Sequence, residues 1–322
     1  MGRWHAAAIS QSGHTVRAIV DPDTARATTL ASRYPGSHVA STLAAISDVD
    51  VVHICTPLDS HVALTREALE HGRHVVVEKP VARSASETKT LIDLAAANQR
   101  LMVPVHQFLF QRGVRRAVKM LPTIAPLLHV DVIVCTAGAS GLGSSGRDQV
   151  VLEILPHPLS LTARLVSPAI VDANWHVRHT GPGELRVDGA IEGTTVAALI
   201  SAGGRPTLNA MRLIGARGTI HVDLFHGFAS IARGRTTRAG KILQPFISSG
   251  SILAAAASNL ARRVVTRESA YPGLRDLVDA VYQAAVSGGA PPISPDECLA
   301  VAMAIDQIRA LSQIRDGADS RT

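Results

Sequence analysis

Apolar and polar positions change rhythm along the chain, and that change divides it. Over the first hundred residues, short apolar runs alternate with helical periodicity at the spacing of an α/β unit. His5 to Ser12 reads as a short helix stopped by Gly13. Thr15–Val20 reads as a strand ending at Asp21, Thr24–Arg33 as a helix, and Ser37–Ala40 as a weak strand. Val51–Cys55 is a strong strand closing on Thr56-Pro57, and Leu58–His71 is a helix ended by Gly72. The next run, His74-Val75-Val76-Val77-Glu78-Lys79-Pro80, carries three consecutive β-branched apolar residues, the mark of a strand buried on both faces of a parallel sheet. A helix over Ser86–Asn98 and a strand over Leu101–Val105 complete a doubly wound, dinucleotide-type domain, residues 1–104.

Beyond that point strand-like segments follow one another. They recur at Leu128–Thr136, Val171–Arg178, Thr194–Ile200, Thr207–Leu213 and Thr219–Leu224, with a helix near Gln149–Val166 before most of them. Runs of strands after one helix predict an α+β domain over residues 105–322, with an open, largely antiparallel sheet. Gly250–Val265 reads as a helix in a poorly patterned insert, whereas Leu274–Val286 and Asp296–Arg309 are amphipathic helices free to pack back on the first domain.

Composition narrows the possibilities. With 322 residues and 46% apolar content, the chain can bury one large core or two domains of ordinary size. Its net charge is +6, which fits an anionic cofactor or substrate as well as a solvated, arginine-rich surface. Aromatics make up only 3%, and no basic helix or stacking motif stands out, which argues against nucleic acid. Cys55, Cys135 and Cys298 lie in apolar contexts without CxxC spacing, the pattern of reduced thiols. No stretch approaches the length and apolarity of a membrane span, so a cytoplasmic protein acting on a small molecule is expected, with no metal.

The chemistry concentrates at strand ends. Open α/β sheets bind ligands at the carboxyl ends of their strands, where Glu78-Lys79-Pro80 falls, and an ammonium placed there is either a reagent or a costly decoration. Asp21 ends the second strand of the pattern, where a carboxylate can bind the adenosine ribose hydroxyls and disfavour a 2′-phosphate. That favours NAD, although Asp21 also suits a plain turn and Arg26 keeps NADP open.

Taken together, Met1-Gly2-Arg3-Trp4-His5, the strand end at Asp21, Cys55-Thr56-Pro57 with His61, Glu78-Lys79-Pro80, Pro156-His157, Gly215-Ala216-Arg217-Gly218-Thr219-Ile220 and the segment from Pro292 to Ala304 resemble the glucose–fructose oxidoreductase, inositol dehydrogenase and rhizopine-catabolism (Gfo/Idh/MocA) superfamily. The resemblance implies hydride transfer between NAD(P) and a hydroxyl-bearing carbon of a sugar, cyclitol, nucleotide-sugar or related metabolite, in a homo-oligomer of two or four chains. It implies that Lys79 contacts the reacting oxygen and that His157 takes its proton, reaching Lys79 from the second domain. Glu153, one helical turn earlier, would orient that imidazole, unless Pro156 kinks or restarts the helix and leaves Glu153 solvated. Gly2, Asp21, Thr56, Pro57, Glu78, Lys79 and Gln107 are expected along the cofactor path. His61 belongs either beside it or on the helix surface. Lys79, Gln107, Phe108 and His157 are expected to bind substrate, although core packing is the default reading for Phe108 and for Phe110.

Two departures from the pattern matter. Leu109 stands where the family often has Arg, which makes the pocket more apolar; Arg112 is either a displaced replacement or a solvated residue. At the start, Gly2 matches only the last glycine of Gly-x-Gly-x-x-Gly, so the first strand is missing. Neighbouring strands lie about 4.8 Å apart, and a missing strand leaves a gap that hydrogen bonds cannot cross. The expectation is that the natural chain begins upstream or that this form binds dinucleotide poorly. Two further readings follow: redox-neutral lyase or isomerase chemistry on the same scaffold, and a cofactor-deficient partner or regulatory subunit.

Overall fold

A computed structural model describes residues 1–234, 237–266 and 271–312. The chain divides into two units, one of Met1–Val105 with Leu274–Ala302 and the other of His106–Gly273 with the residues from Met303 onward. In the first unit, α1 (Gly2–Gln11) leads to β1 (Ala18–Val20), α2 (Thr24–Ala31), β2 (His38–Ala40), β3 (Val51–Ile54), α3 (His61–Glu70), β4 (His74–Val77), α4 (Ala85–Ala97) and β5 (Met102–Pro104). Local chemistry sets the helix starts. Asp23 accepts from the backbone N–H groups of Ala25 and Arg26 and caps α2; Ser84 accepts from that of Glu87 and caps α4.

β4 is the middle strand of a parallel sheet ordered β3-β4-β5, and Val75, Val76 and Val77 are wholly buried in it. Val75 and Val77 pack among Ile54, Leu69, Leu91 and Met102. β1 and β2 form a separate parallel pair, and among the described residues no ladder joins β1 to β3. The sheet is thus interrupted where the missing strand would lie. Val20 and Val39, on this detached pair, stay exposed.

The second unit holds α5 (Arg112–Ile124), β6 (Leu127–Cys135), α6 (Ser144–Ile154), α7 (Pro156–Leu165), β7 (His176–Gly181), β8 (Glu184–Ile191), β9 (Thr194–Ser201), β10 (Leu208–Gly215), β11 (Gly218–Asp223), β12 (Phe228–Arg233) and α8 (Arg238–Thr266). The seven strands run in the order β12-β11-β10-β6-β9-β8-β7, and every pairing is antiparallel except β6 with β9. Along β6, Val130, Val132 and Val134 are buried. His129 and Asp131 point to the other face, where they meet Thr195 and Arg212 across neighbouring strands. This alternation is what a sheet covered on one side requires. Gly113 lets α5 cross β12 closely, because a Cβ there would stand 2.7 Å from the Phe228 backbone.

Several elements depart from the sequence reading. The strand expected over Val171–Arg178 begins only at His176; before it, Ser167 caps a 3-10 turn over Pro168–Asp172. The helix expected over Gln149–Val166 is two helices, parted at Leu155 because Pro156 lacks the N–H to continue α6. α8 begins twelve residues before the expected Gly250. β8 and β12 went unread, β8 because Glu184, Arg186 and Asp188 line its open side.

After α8 come α9 (Leu274–Ser287) and α10 (Pro295–Ser312). α9 packs against α1 within the first unit. α10 opens on a reciprocal cap in which the Glu297 N–H donates to Ser294 Oγ and the Ser294 N–H donates to Glu297 Oε2, each at 3.1 Å. Its Cys298 thiol completes the first core; burial and the neighbouring Glu297 push its pKa up to about 12.

Candidate active site

The parallel strands deliver the polar candidates of the first unit to their carboxyl ends. Asp21 follows β1, Thr56 and Pro57 follow β3, and Glu78 with Lys79 follows β4. Thr56 and Pro57 are exposed; Asp21 and Lys79 are half-buried. Glu78 is buried, and its environment accounts for how a carboxylate is tolerated there.

His5, on the first turn of α1, is buried with its Nε2 3.1 Å from Glu78 Oε1. An ionised carboxylate only accepts, so His5 Nε2–H is the donor. The other His5 nitrogen lies 2.8 Å from His53 Nδ1, and His53 Nε2 lies 3.1 Å from the Tyr282 hydroxyl on α9. Burial works against a charge on His5, but Cys55 and Glu78 outweigh it and raise its pKa to about 9. His53, desolvated and beside the His5 charge, is held well below the usual histidine value. The proton assignment follows: His5 is an imidazolium donating to Glu78 and to His53 Nδ1, and neutral His53 donates from Nε2 to Tyr282. Burial pushes the Glu78 pKa up, yet the His5 hydrogen bond, the His5 charge and Lys79 hold it below the usual carboxylate value. The second Glu78 oxygen accepts from the Lys79 backbone N–H at 3.3 Å. This chain ties the end of β4 to α1, β3 and α9.

His61 is buried at the start of α3. Its Nε2 lies 2.9 Å from the Thr56 carbonyl oxygen and its Nδ1 lies 2.8 Å from that of Pro80. The ring therefore sits between the turn after β3 and the turn after β4, and in either neutral tautomer its one N–H donates to one of the two carbonyls. Asp21 Oδ1 accepts from the Asp23 N–H at 2.9 Å, closing a local turn, and Arg26 is paired with Asp23 at 3.2 Å. Gly2 opens α1, whose first turn has no side-chain cap, and a Cβ at Gly2 would meet nothing within 4 Å. Free N–H groups at an open helix N-terminus suit a phosphate. With Asp21 at the next strand end, the residues present fit a dinucleotide.

The second unit brings another set together. His157, buried at the start of α7, stacks on Phe108 with ring centroids 4.4 Å apart and planes 25° from parallel. Phe108 belongs to a 3-10 turn over Gln107–Phe110, in which Gln107 and Leu109 are buried and Phe108 is half-buried. Gln107 Oε1 is buried with no hydrogen-bond partner among the described residues, an acceptor left for a ligand. Arg112 is exposed, the solvated alternative of the sequence reading. Glu153 lies on α6, across the break from His157, and its Oε1 accepts from Gln149 at 3.2 Å.

Sequence reasoning missed Gly273 and the roles of His5, His53 and Tyr282. Gly273 has φ +89°, and a Cβ there would stand 2.3 Å from the Gln107 carbonyl oxygen, so only glycine lets the chain pass beneath this turn. His5 left one signal, a histidine among alanines one turn into the first helix.

Residues 1–106 match the oxidoreductase family Gfo/Idh/MocA, described by its NAD-binding Rossmann fold. Among curated relatives, UDP-N-acetylglucosamine 3-dehydrogenase of Acidithiobacillus ferrooxidans is 27% identical over 188 residues, 53% of each chain. dTDP-3,4-didehydro-2,6-dideoxy-alpha-D-glucose 3-reductase of Streptomyces violaceoruber is 27% identical over 192 residues, 55% of each. The chain thus spans about half the length of these relatives. In fold the likeness is fuller. Levoglucosan dehydrogenase, solved with NADH and levoglucosan, superposes with a TM-score of 0.75 over 97% of this chain and 94% of its own, at 18% identity. Both units therefore share the fold of that structure, a Rossmann-type domain followed by a mixed, mostly antiparallel sheet.

Proposed function

We propose that the chain is an NAD(P)-dependent dehydrogenase or reductase acting on a CH–OH carbon of a sugar, cyclitol, nucleotide-sugar or related metabolite. The observation that carries this reading is the end of β4 in a domain that matches this family, where Glu78 is fixed by a buried imidazolium and Lys79 follows it. Bound NAD would accept or supply the hydride. Gly2 at the α1 N-terminus would hold its phosphates and Asp21 its ribose, while Thr56, Pro57, Glu78 and Gln107 would line its path. His61 would shape that path from its place between two of its turns.

Lys79 would donate a hydrogen bond to the reacting oxygen and stabilise negative charge as it develops. His157 would take the hydroxyl proton, its ring held in orientation by Phe108. Glu153 would serve as a positioning residue for that ring, and Phe108 and Gln107 would contact substrate. Buried Leu109 favours a substrate with an apolar edge on that side. UDP-N-acetylglucosamine and levoglucosan, named with the relatives, are the first compounds to try. The working form would be a cytoplasmic homo-oligomer; no helix among the described residues is long and apolar enough to cross a membrane.

The test is steady-state kinetics of the purified chain with NAD or NADP and a panel of such compounds. Lys79→Ala and His157→Ala should each lower kcat by roughly 10²–10⁴-fold with folding intact, the range for a general acid–base group. Unchanged kcat in either variant would remove that residue from the chemistry.

A further inference from the structure

A lysine beside a carboxylate holds its proton tightly and leans on that carboxylate. One that serves a reacting oxygen has to be spared both. Lys79 follows Glu78 directly, and its charge is among those that hold the Glu78 carboxyl below the usual value. The attraction is mutual, so a bare Glu78 carboxylate would tighten the hold of Lys79 on its proton by the same energy. Glu78 is not bare. The buried His5 ring stands 3.1 Å from its Oε1, on the first turn of α1. The helix whose N-terminus suits a phosphate thus also carries the cation that compensates Glu78.

The titratable groups facing His5 come from three elements of the first unit. Glu78 and Lys79 follow β4. On β3 and at its end, His53 presents its ring edge to face at 5.1 Å and Cys55 hydrogen-bonds the imidazole. Tyr282 on α9 reaches His5 only through His53. Behind it, His14 packs on Tyr282 with ring centroids 4.5 Å apart, and Asp50 acts on the same phenol from just before β3. Among these groups Glu78 is the carboxylate in contact with His5, so the two charges cancel as a pair. We propose that His5 is a positioning residue for Lys79. Through Glu78, it offsets the carboxylate's pull on the ammonium and leaves the Lys79 proton available to the reacting oxygen. The role in turnover rests on the oxidoreductase reading; the effect on Lys79 does not.

The proton affinity of Lys79 itself tests this, without turnover. The full chain is trace-labelled with acetic anhydride between about pH 7 and 11, a range that brackets the lysine amine. Mass spectrometry of the Lys79 peptide then gives the pH at which half of the amine is free. His5→Gln leaves Glu78 uncompensated and should move that midpoint up by about one pH unit or more. The double variant His5→Gln, Glu78→Gln should return it to within about half a unit of the parent, because the parent pair is already neutral. Circular dichroism at each pH confines the comparison to folded chain. The double variant buries no unpaired charge, so it decides alone if His5→Gln unfolds. A parent midpoint about one unit or more above the double variant would reveal a bare carboxylate and overturn the proposal. So would a His5→Gln midpoint equal to the parent's, or both variants drifting to the value of a solvated lysine, about 10.4, as a merely loosened turn would give. In turnover, the alkaline limb of kcat/KM should follow the same order, up in His5→Gln and back in the double variant. Labelling in this order with no turnover of any panel compound would defeat the oxidoreductase reading alone. Turnover with labelling out of this order would defeat the His5 proposal alone.

Discussion

Replacing His5 by Gln removes the imidazolium that neutralises Glu78 but leaves an amide able to donate one hydrogen bond. The structure sets the size of the effect. With its pKa raised from 6.5 to about 9, His5 contributes about 3.5 kcal/mol to stability at roughly 1.4 kcal/mol per unit. Removing one partner of a buried ion pair costs about 3–5 kcal/mol by a separate route, and the two figures agree. The sign follows from proton counting. Between 6.5 and about 9 the folded chain holds a proton on His5 that the unfolded chain has released, so stability falls as pH rises. The contribution is whole below 6.5 and gone above about 9. Glu78 acts oppositely: its pKa is depressed in the folded state, so its contribution is present above 4.5 and lost as acid protonates it. Urea unfolding of the parent and His5→Gln, measured at half-unit steps from pH 5 to 10, isolates the pair by difference. The difference should be largest near pH 5–6 and shrink toward zero by about pH 9–10. A difference that stays constant across that range would refute a buried imidazolium at His5.

Tyr282→Phe should cost about 1–3 kcal/mol in the same assay, because it strips the acceptor from the His53 N–H. Gly273→Ala should destabilise the chain by about 2 kcal/mol or more, through positive φ and the clash with Gln107, and should raise KM with little change in kcat in the kinetic assay. Asp21→Ala should weaken NADH binding about tenfold and narrow the preference over NADPH, read by fluorescence titration, in line with roughly 1.4 kcal/mol for a lost ribose contact. Phe108→Ala should reduce kcat and free the His157 ring, visible as a shifted pH profile of kcat/KM.

The first unit was largely legible because its signals are local. Val75, Val76 and Val77 leave no alternative to a buried parallel strand, and the missing glycines correctly implied an interrupted sheet between β1 and β3. The second unit was harder to read. β8 alternates apolar residues with charges as an open-faced sheet demands, and α5 went unread altogether, with Pro122 inside it and Arg112, Arg115 and Arg116 exposed. The His5–Glu78 pair was invisible for a different reason. Its partners are 73 residues apart, and nothing in either neighbourhood shows that one histidine among fourteen ends beneath that carboxylate.

The central claim is hydride transfer, and isotope tracing tests it most directly. A substrate found in the panel, deuterated at its carbinol carbon, is turned over with excess NAD, and the nicotinamide is recovered for mass spectrometry. The account predicts one deuterium in each NADH formed, in step with product. Deuterium released to solvent, or product formed without net NADH, would contradict it and assign the scaffold to redox-neutral chemistry.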